Sequence, residues 1–191
     1  MKNKTDKGIR ERILKESVRL FSENGYHGTS MRDIASSSEC SLPMLYYYYK
    51  NKEDLFYEVA YNEFVLLIER LNAQVIIGET VQETYFNAIK QRKELLSYDK
   101  AVYKLSLKVW LGFDGESKVR QDLIEWENGR MERTKKILDR YIENKKKLPV
   151  FSNLFVRVME NVIEKIILLD EEIPDEGIKN EIELLMKLLS L

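Results

Sequence analysis

The chain has 191 residues, of which 44% are hydrophobic and 33% are charged, with only three prolines and eight glycines. No apolar run approaches the roughly 18 residues that a membrane span needs, and the N-terminus lacks a signal-peptide core. One cysteine and one histidine argue against a disulfide framework and against a transition-metal site, so we expect a helical, cytoplasmic protein without cofactors.

The net charge of −1 is unevenly distributed along the chain. Residues 1–52 hold ten Lys and Arg against six Asp and Glu, which gives +4, and residues 53–191 hold 21 against 26, which gives −5. A basic N-terminal part on an acidic remainder keeps any attraction to phosphate local. The asymmetry supports nucleic-acid binding without establishing it.

The first 50 residues predict three short helices. The first begins near Thr5 or Asp6 and ends at Asn24-Gly25, where glycine can adopt a positive φ. Thr29 or Ser30 caps the second helix, and Ser30-x-x-Asp33 resembles a capping box. Ser41 caps the third helix, whose first turn contains Pro43, a position where a missing N–H does no harm.

The third helix is too short to be stable alone, and it carries Tyr46, Tyr47, Tyr48 and Tyr49. Four consecutive tyrosines surround a helix, so some of them must face outward, next to Lys50 and Lys52. We expect Tyr49 to pack underneath. A supported, exposed helix of this kind suits insertion into a DNA groove.

Asn51 caps a long fourth helix with an apolar face from Leu55 to Leu71, and this helix joins the N-terminal part to the rest. Five more helices follow, over about 79–97, 100–113, 116–144 and 148–169, and a last one that comes after a breaker at 170–175 and ends at Leu191. The chain is therefore predicted to be all-α, with nine helices. We assign residues 1–50 to a helix-turn-helix DNA-binding domain and residues 51–191 to an effector-binding and dimerisation domain.

The N-terminal pattern resembles the TetR family of bacterial transcriptional regulators. The shared residues are Ile13-Leu14, Leu20-Phe21, Gly25-Tyr26, Thr29-Ser30-Met31, Ile34-Ala35, Ser41, Leu45-Tyr46, Tyr48-Tyr49 and Lys52-Glu53-x-Leu55. The resemblance implies a homodimer formed through the last two helices, with a three-helix head and a six-helix body. It also implies phosphate contacts from Thr29, Tyr46, Tyr47 and Lys52, with base contacts at the start of the third helix.

Two positions depart from the family pattern. Glu39 stands in the turn where the family usually has glycine, so this turn must be held differently or under strain. The third helix begins Leu42-Pro43-Met44 in place of Lys-Gly-Thr, which removes hydrogen-bonding groups from the base-reading positions. We expect Leu42, Pro43, Met44 and Arg32 to contact bases, at an A·T-rich half-site.

The body is rich in aromatic residues, most of which we expect in its core. Tyr103, Trp110 and Trp126 are candidates to line a pocket for a small, apolar or aromatic effector. The last two helices carry broad apolar faces that predict a two-fold dimer interface. Its candidate residues are Phe155, Val158, Val162, Ile166, Ile182, Leu185 and Leu189.

These observations predict a ligand-responsive DNA-binding regulator. It would act as a homodimer on a palindromic operator of double-stranded DNA, with repression as the expected outcome and activation left open. The alternative is a protein of the same fold that binds DNA as a scaffold and another protein through its body. An enzyme is disfavoured, because no nucleophile–base pair, phosphate loop or Glu-x-x-His pair stands out.

Overall fold

A computed structural model describes residues 4–112 and 117–188, and every regular element in these ranges is a helix. This confirms the all-α prediction and, within the described residues, the count of nine helices. The helices are α1 (Lys4–Gly28), α2 (Met31–Ser37), α3 (Leu42–Tyr48), α4 (Lys52–Tyr57, continued by a π-helical turn Glu58–Asn62 and by Glu63–Gln74), α5 (Val81–Lys93), α6 (Ser97–Trp110), α7 (Ser117–Leu138), α8 (Leu148–Leu168) and α9 (Asp175–Leu188).

The chain packs into two compact units. The first unit comprises Met1–Ile68 with Leu96–Ile124, and the second comprises Glu69–Leu95 with Glu125–Leu191. Packing defines these units, whereas the predicted domains 1–50 and 51–191 are defined by DNA binding and effector binding. The functional division at residue 50 therefore stays a prediction.

Local capping fixes the starts of α2, α3 and α4 as the sequence predicts. The Ser30 side chain accepts from the backbone N–H of Asp33 at 3.2 Å, and the Asp33 carboxylate accepts from the Ser30 N–H at 3.0 Å. Ser41 caps α3, and Asn51 caps α4 with a 2.7 Å hydrogen bond from the N–H of Asp54. Each cap occupies a backbone donor that the first helical turn leaves open.

A buried aromatic cluster holds α1 against α4 within the first unit. The rings of Phe21 and Phe56 meet edge to face at 4.9 Å, and the ring of Tyr26 lies 4.9 Å from that of Phe56. All three side chains are buried, as are Ile34 of α2 and Leu45 of α3. The short helices α2 and α3 therefore take their stability from packing rather than from their own length.

The fourth helix contains a π-helical turn at Glu58–Asn62, which the sequence reading did not anticipate. Its Val59 and Ala60 are fully buried, and the Ser106 hydroxyl of α6 lies 2.8 Å from the Ala60 carbonyl oxygen. That bond satisfies a carbonyl group where the α-helical ladder is interrupted. Nearby, the Tyr57 hydroxyl donates to the Asp122 carboxylate at 2.8 Å.

In the second unit, α8 carries a nearly continuous buried face. Phe155 meets the fully buried ring of Tyr85 from α5 at 5.5 Å. Lys93 at the end of α5 donates to the Asp175 carboxylate of α9 at 2.6 Å. Helices α5, α8 and α9 thus share one core.

Several predicted boundaries differ from the structure. Residues 26–28 continue helically after a break at Gly25, whose φ of 73° and ψ of 171° suit only glycine. Helix α7 ends at Leu138 rather than near Asn144: beyond it the Tyr141 N–H turns back to the Leu138 carbonyl at 3.0 Å, and the Tyr141 hydroxyl bonds to the Gly78 carbonyl and the Thr84 hydroxyl. The predicted breaker at 112–115 lies outside the described residues apart from Gly112, and so does the predicted end at Leu191.

None of the helices in the described ranges combines the length and the apolar character that a membrane-spanning segment needs.

Candidate functional site

The turn between α2 and α3 positions the third helix. The N–H of Cys40 donates to the Ala35 carbonyl at 3.0 Å, and the N–H of Glu39 donates to the Ser36 carbonyl at 3.2 Å. This pair of bonds is a Schellman motif, which requires a left-handed residue at the position of Glu39. Glu39 has a φ of 50°. Glu39 therefore adopts a left-handed backbone conformation that glycine adopts without strain but that strains a residue with a Cβ atom.

Helix α3 presents one face to solvent and buries the other. Leu45 is fully buried and Tyr49, directly after the helix, is 8% exposed, as expected for residues beneath the head. Burial raises the pKa of the Tyr49 hydroxyl to about 12. On the outer face, Tyr47 is 76% exposed and Tyr46 is 47% exposed. Two phenols are therefore free to meet a ligand.

Five of the predicted DNA-contacting residues line one open depression on the head. Its volume is about 490 Å³, and it also includes His27, Gly28, Ser30 and Met31. The other three, Pro43, Met44 and Tyr47, lie exposed on the adjoining face of α3. The structure thus brings the predicted residues to one surface, although the contacts themselves stay predictions. The five residues in the depression are Thr29, Arg32, Leu42, Tyr46 and Lys52.

Two of the predicted phosphate ligands also hold the head together. Thr29 is 2% exposed, and its hydroxyl lies within hydrogen-bonding distance of the Leu20 and Gly25 carbonyl oxygens, at 3.1 and 2.9 Å. Lys52 donates to the carbonyl oxygens of Tyr26 and Thr29 at 2.8 and 3.1 Å. A phosphate contact by the Thr29 hydroxyl would require it to leave these partners. Lys52 has a third proton to offer.

The two potentially reactive side chains of the head have ordinary environments. Partial burial raises the pKa of the Cys40 thiol, against the opposing charge of Arg12, which keeps the reactive thiolate scarce. His27 is exposed, and its ring meets that of Tyr26 edge to face at 5.3 Å.

The three predicted effector-pocket residues belong to different units, and their role in a pocket stays a prediction. Tyr103 is buried in the first unit against Phe64, with ring centres 5.2 Å apart, and Trp110 is half-buried in the same unit. Trp126 belongs to the second unit, where the Arg133 guanidinium lies 5.4 Å from the centre of its ring. Of the three, only Tyr103 belongs to the buried core.

A cavity of about 60 Å³ lies inside the second unit. Its lining combines apolar groups with the buried guanidinium of Arg92 and the polar side chains of Asn72, Thr84 and Thr134. None of the three predicted aromatics contributes to it. No sequence pattern marked it, because its residues come from four separate helices and the α4–α5 connection. The remaining lining residues are Val75, Ile77, Ala88, Ile137, Leu138, Phe155 and Met159.

Five of the seven predicted dimer residues are buried by packing inside the protomer. Phe155, Val162, Ile166, Ile182 and Leu185 are at most 6% exposed, so they have little surface left for a partner. Val158 is half-buried, and Leu189 lies outside the described residues. The broad apolar faces of α8 and α9 are thus explained mostly by the core of the second unit. Exposed apolar side chains remain on both helices, at Val150 and Leu184.

No group of three His, Cys, Asp or Glu side chains suited to a metal ion occurs in the part of the chain that the structure describes.

Residues 13–59 match the family model described as bacterial regulatory proteins, tetR family. The negative regulator IcaR of the biofilm operon icaADBC in Staphylococcus epidermidis is 36% identical over 63 residues, which is 33% of this chain and 34% of that protein. The transcriptional regulator QacR of Staphylococcus aureus is 33% identical over 78 residues, 41% of this chain and 42% of its own length. The chain thus matches less than half the length of these relatives.

The whole fold is similar to solved regulator structures. The FadR regulator of Bacillus subtilis, solved in complex with stearoyl-CoA, superposes with a TM-score of 0.69 over 92% of this chain and 97% of that one. The two sequences are 20% identical, so this likeness shows the fold.

Proposed function

The chain belongs to the TetR family of bacterial transcriptional regulators, and from this membership we propose that it represses transcription as a homodimer on a palindromic operator. A small molecule bound to its body would release it from the DNA. The partners are then an operator duplex, a second copy of the chain and a small-molecule effector. Acting on bacterial DNA, the protein would work in the cytoplasm.

The observation that carries the DNA-binding proposal is the exposed face of α3. Tyr46, Tyr47 and Met44 protrude from a helix held from below by Leu45 and Tyr49. Arg32 and Lys52 line the adjoining depression and supply positive charge. A rigid short helix with phenols at its surface and cations beside it can enter a major groove while contacting phosphates.

We place the dimer contact on α8 and α9, on the face that the protomer leaves open. Leu184 is 58% exposed and Val158 is half-buried, which makes them the apolar side chains we assign to this contact. A two-fold axis through this surface would present two α3 helices to half-sites about 34 Å, or a multiple of that distance, apart.

The cavity of the second unit is the effector site that we propose. Its mixed lining suits a ligand with an apolar part and a polar or anionic head near Arg92. The stearoyl-CoA in the FadR structure belongs to that class of compound. At about 60 Å³ the cavity is far smaller than the roughly 300 Å³ or more of a typical ligand pocket, so an effector must enlarge it.

Helix α4 is the candidate link between effector and DNA, since Lys52 begins it and Asn72 near its end lines the cavity. Moving operator occupancy between its extremes requires an effector to favour one conformation by about 5 kcal/mol. The coupling is reciprocal, so operator DNA must weaken effector binding by the same factor.

Selection of random duplex DNA by the purified protein tests the DNA-binding proposal. We expect an inverted repeat to be enriched by the wild type and not by Tyr46→Ala, whose substituted side chain is exposed and does not support the core. A protein that stays folded yet enriches no sequence would favour the alternative, in which the body binds another protein.

Thermal-shift measurements with stearoyl-CoA, and with coenzyme A as control, test the effector site. A ligand at 100 times its dissociation constant should stabilise the protein by about 2.7 kcal/mol. The Ala88→Leu variant fills the cavity and should lose the shift while keeping its operator affinity. An equal shift in both proteins would place the ligand elsewhere.

A further inference from the structure

We propose that α3 reads its operator through the 5-methyl groups of thymine, with Pro43 and Met44 as the specificity-determining residues. This inference rests on the proposed function, because it assigns a chemical mode of recognition to the DNA-binding surface. It specifies which groups on the bases are contacted and which are not.

The side chains of α3 exclude the commonest form of base recognition. Leu42–Tyr48 contains no amide, carboxylate, ammonium or guanidinium group, and its only polar side chains are the phenols of three tyrosines. Guanine and adenine are normally distinguished by side chains that make two hydrogen bonds to one base, namely Arg, Lys, Asn and Gln. No residue of this helix can do that.

The groups at the leading end of α3 are hydrocarbon and thioether. Pro43 is exposed and has no N–H to donate, and Met44 is 37% exposed. The Ser41 hydroxyl before the helix accepts from the Met44 N–H at 3.3 Å as the helix cap. A base edge approaching this end therefore meets C–H groups first.

Thymine is the base whose major-groove edge offers an apolar group, the methyl on C5. Burying that methyl against Pro43 or Met44 removes apolar surface from water without displacing any hydrogen bond. The same side chains over a G·C pair would desolvate the N4 amino group or the O6 and N7 acceptors and give nothing in return. The preference for thymine thus arises both from the favourable contact with its methyl group and from the unfavourable desolvation of a G·C pair.

Polar contacts are left to the edge of the site. Arg32 of α2 carries a guanidinium group and is exposed. It lines the same depression as Leu42 and Tyr46. It can reach a base or a phosphate beside α3 but does not belong to the leading end. We therefore expect thymines at the centre of each half-site, with any guanine contact at its margin.

Replacing thymine by uracil tests this proposal, because uracil lacks only the methyl and keeps every hydrogen-bonding group. A duplex enriched by the wild type in the selection described above is resynthesised with uracil at one thymine at a time, and its affinity is measured by fluorescence anisotropy. We expect binding to weaken about fourfold at each contacted thymine, the factor for one methyl group returned to water. Thymines outside the half-sites serve as controls and should show no change.

Two variants separate methyl recognition from general effects on the duplex. Met44→Ala removes an exposed side chain and should abolish the uracil penalty at one position while keeping it at the position read by Pro43. Replacing a contacted thymine by 5-methylcytosine should cost less than replacing it by cytosine, since only the former keeps the methyl.

The proposal is overturned if the wild type prefers the selected duplex over a scrambled one but binds its thymine and uracil forms equally. The proposed function then survives and the mode of recognition fails. It is also overturned if Met44→Ala and Pro43→Ala keep every uracil penalty. If the wild type prefers no duplex over a scrambled one, the proposed function is contradicted as well.

Discussion

The ammonium group of Lys52 donates a 2.8 Å hydrogen bond to the carbonyl oxygen of Tyr26 and lies 4.2 Å from the centre of the same residue's ring. A second bond, to the Thr29 carbonyl at 3.1 Å, connects the start of α4 to the segment that leads into α2. Lys52 is therefore a structural residue of the head before any DNA is bound. This role is independent of the phosphate contact that the family resemblance implies.

Replacing Lys52 by methionine should lower the free energy of unfolding by about 2 kcal/mol, the range for a charged donor lost from partly buried carbonyl groups. Urea denaturation measures this change. Lys50→Met is the matched control, because Lys50 is exposed and its loss should change stability by less than about 0.5 kcal/mol. Equal stability of the two variants would contradict the structural role.

Replacing Glu39 by glycine should stabilise the protein by about 1 kcal/mol, since the left-handed turn strains any residue with a Cβ atom. Glu39→Ala keeps the Cβ and should give no comparable gain. Thermal and urea unfolding of the three proteins settle the comparison. A glycine variant no more stable than the alanine variant would mean that the turn is not strained.

The carboxyl group of Glu160 should make stability fall as the pH rises. Burial and the nearby charges of Glu127 and Glu164 raise its pKa from 4.5 to about 7, although Arg130, which bonds to both Glu127 and Glu160, opposes the shift. Between these two values the folded state binds more protons than the unfolded state, so stability decreases from about pH 4.5 to 7.

Urea denaturation across that pH range measures the effect. Glu160→Gln should flatten the decline, because the amide does not titrate. Glu183→Gln, at an exposed position of α9, should leave it unchanged. An identical pH profile for the wild type and Glu160→Gln would show that Glu160 titrates at its ordinary pKa.

A charge at the open face of α9 should separate the proposed dimer. Leu184→Glu would bury a carboxylate against the partner and is expected to raise the dimer dissociation constant at least tenfold, since an unpaired charge in an interface costs more than about 1.4 kcal/mol. Leu66→Glu is the matched control, because Leu66 and Leu184 are both 58% exposed but lie on different helices. Sedimentation analysis that shows the same dimer for both variants would place the interface elsewhere.

Features governed by neighbouring residues were readable from the sequence. The caps at Ser30, Ser41 and Asn51 depend on a side chain and a backbone N–H three residues away, and all three form. The buried face of α4 follows from helical periodicity. Four consecutive tyrosines cannot all be hidden around one helix, so outward-facing phenols were expected, and Tyr46 and Tyr47 are exposed whereas Tyr49 is buried.

Features that depend on distant packing were not readable. The π-helical turn of α4 coincides with the approach of Ser106, which is 46 residues away from Ala60. The cavity around Arg92 is assembled from separate helices, and the apolar faces of α8 and α9 turned out to meet neighbours in their own protomer. A pattern gives the apolar face of a helix but not the partner that covers it.

Sequence-specific binding through α3 can be measured as the affinity of the wild type and of Tyr47→Ala for the selected inverted repeat and for a scrambled duplex at the same salt concentration. We expect the wild type to prefer the repeat by about a thousandfold or more. Tyr47→Ala should remain folded, because this side chain is 76% exposed, and should bind both duplexes more weakly while it keeps the preference, because a phosphate contact does not depend on base sequence. Equal affinity of the wild type for both duplexes would contradict a sequence-specific regulator that binds DNA through α3.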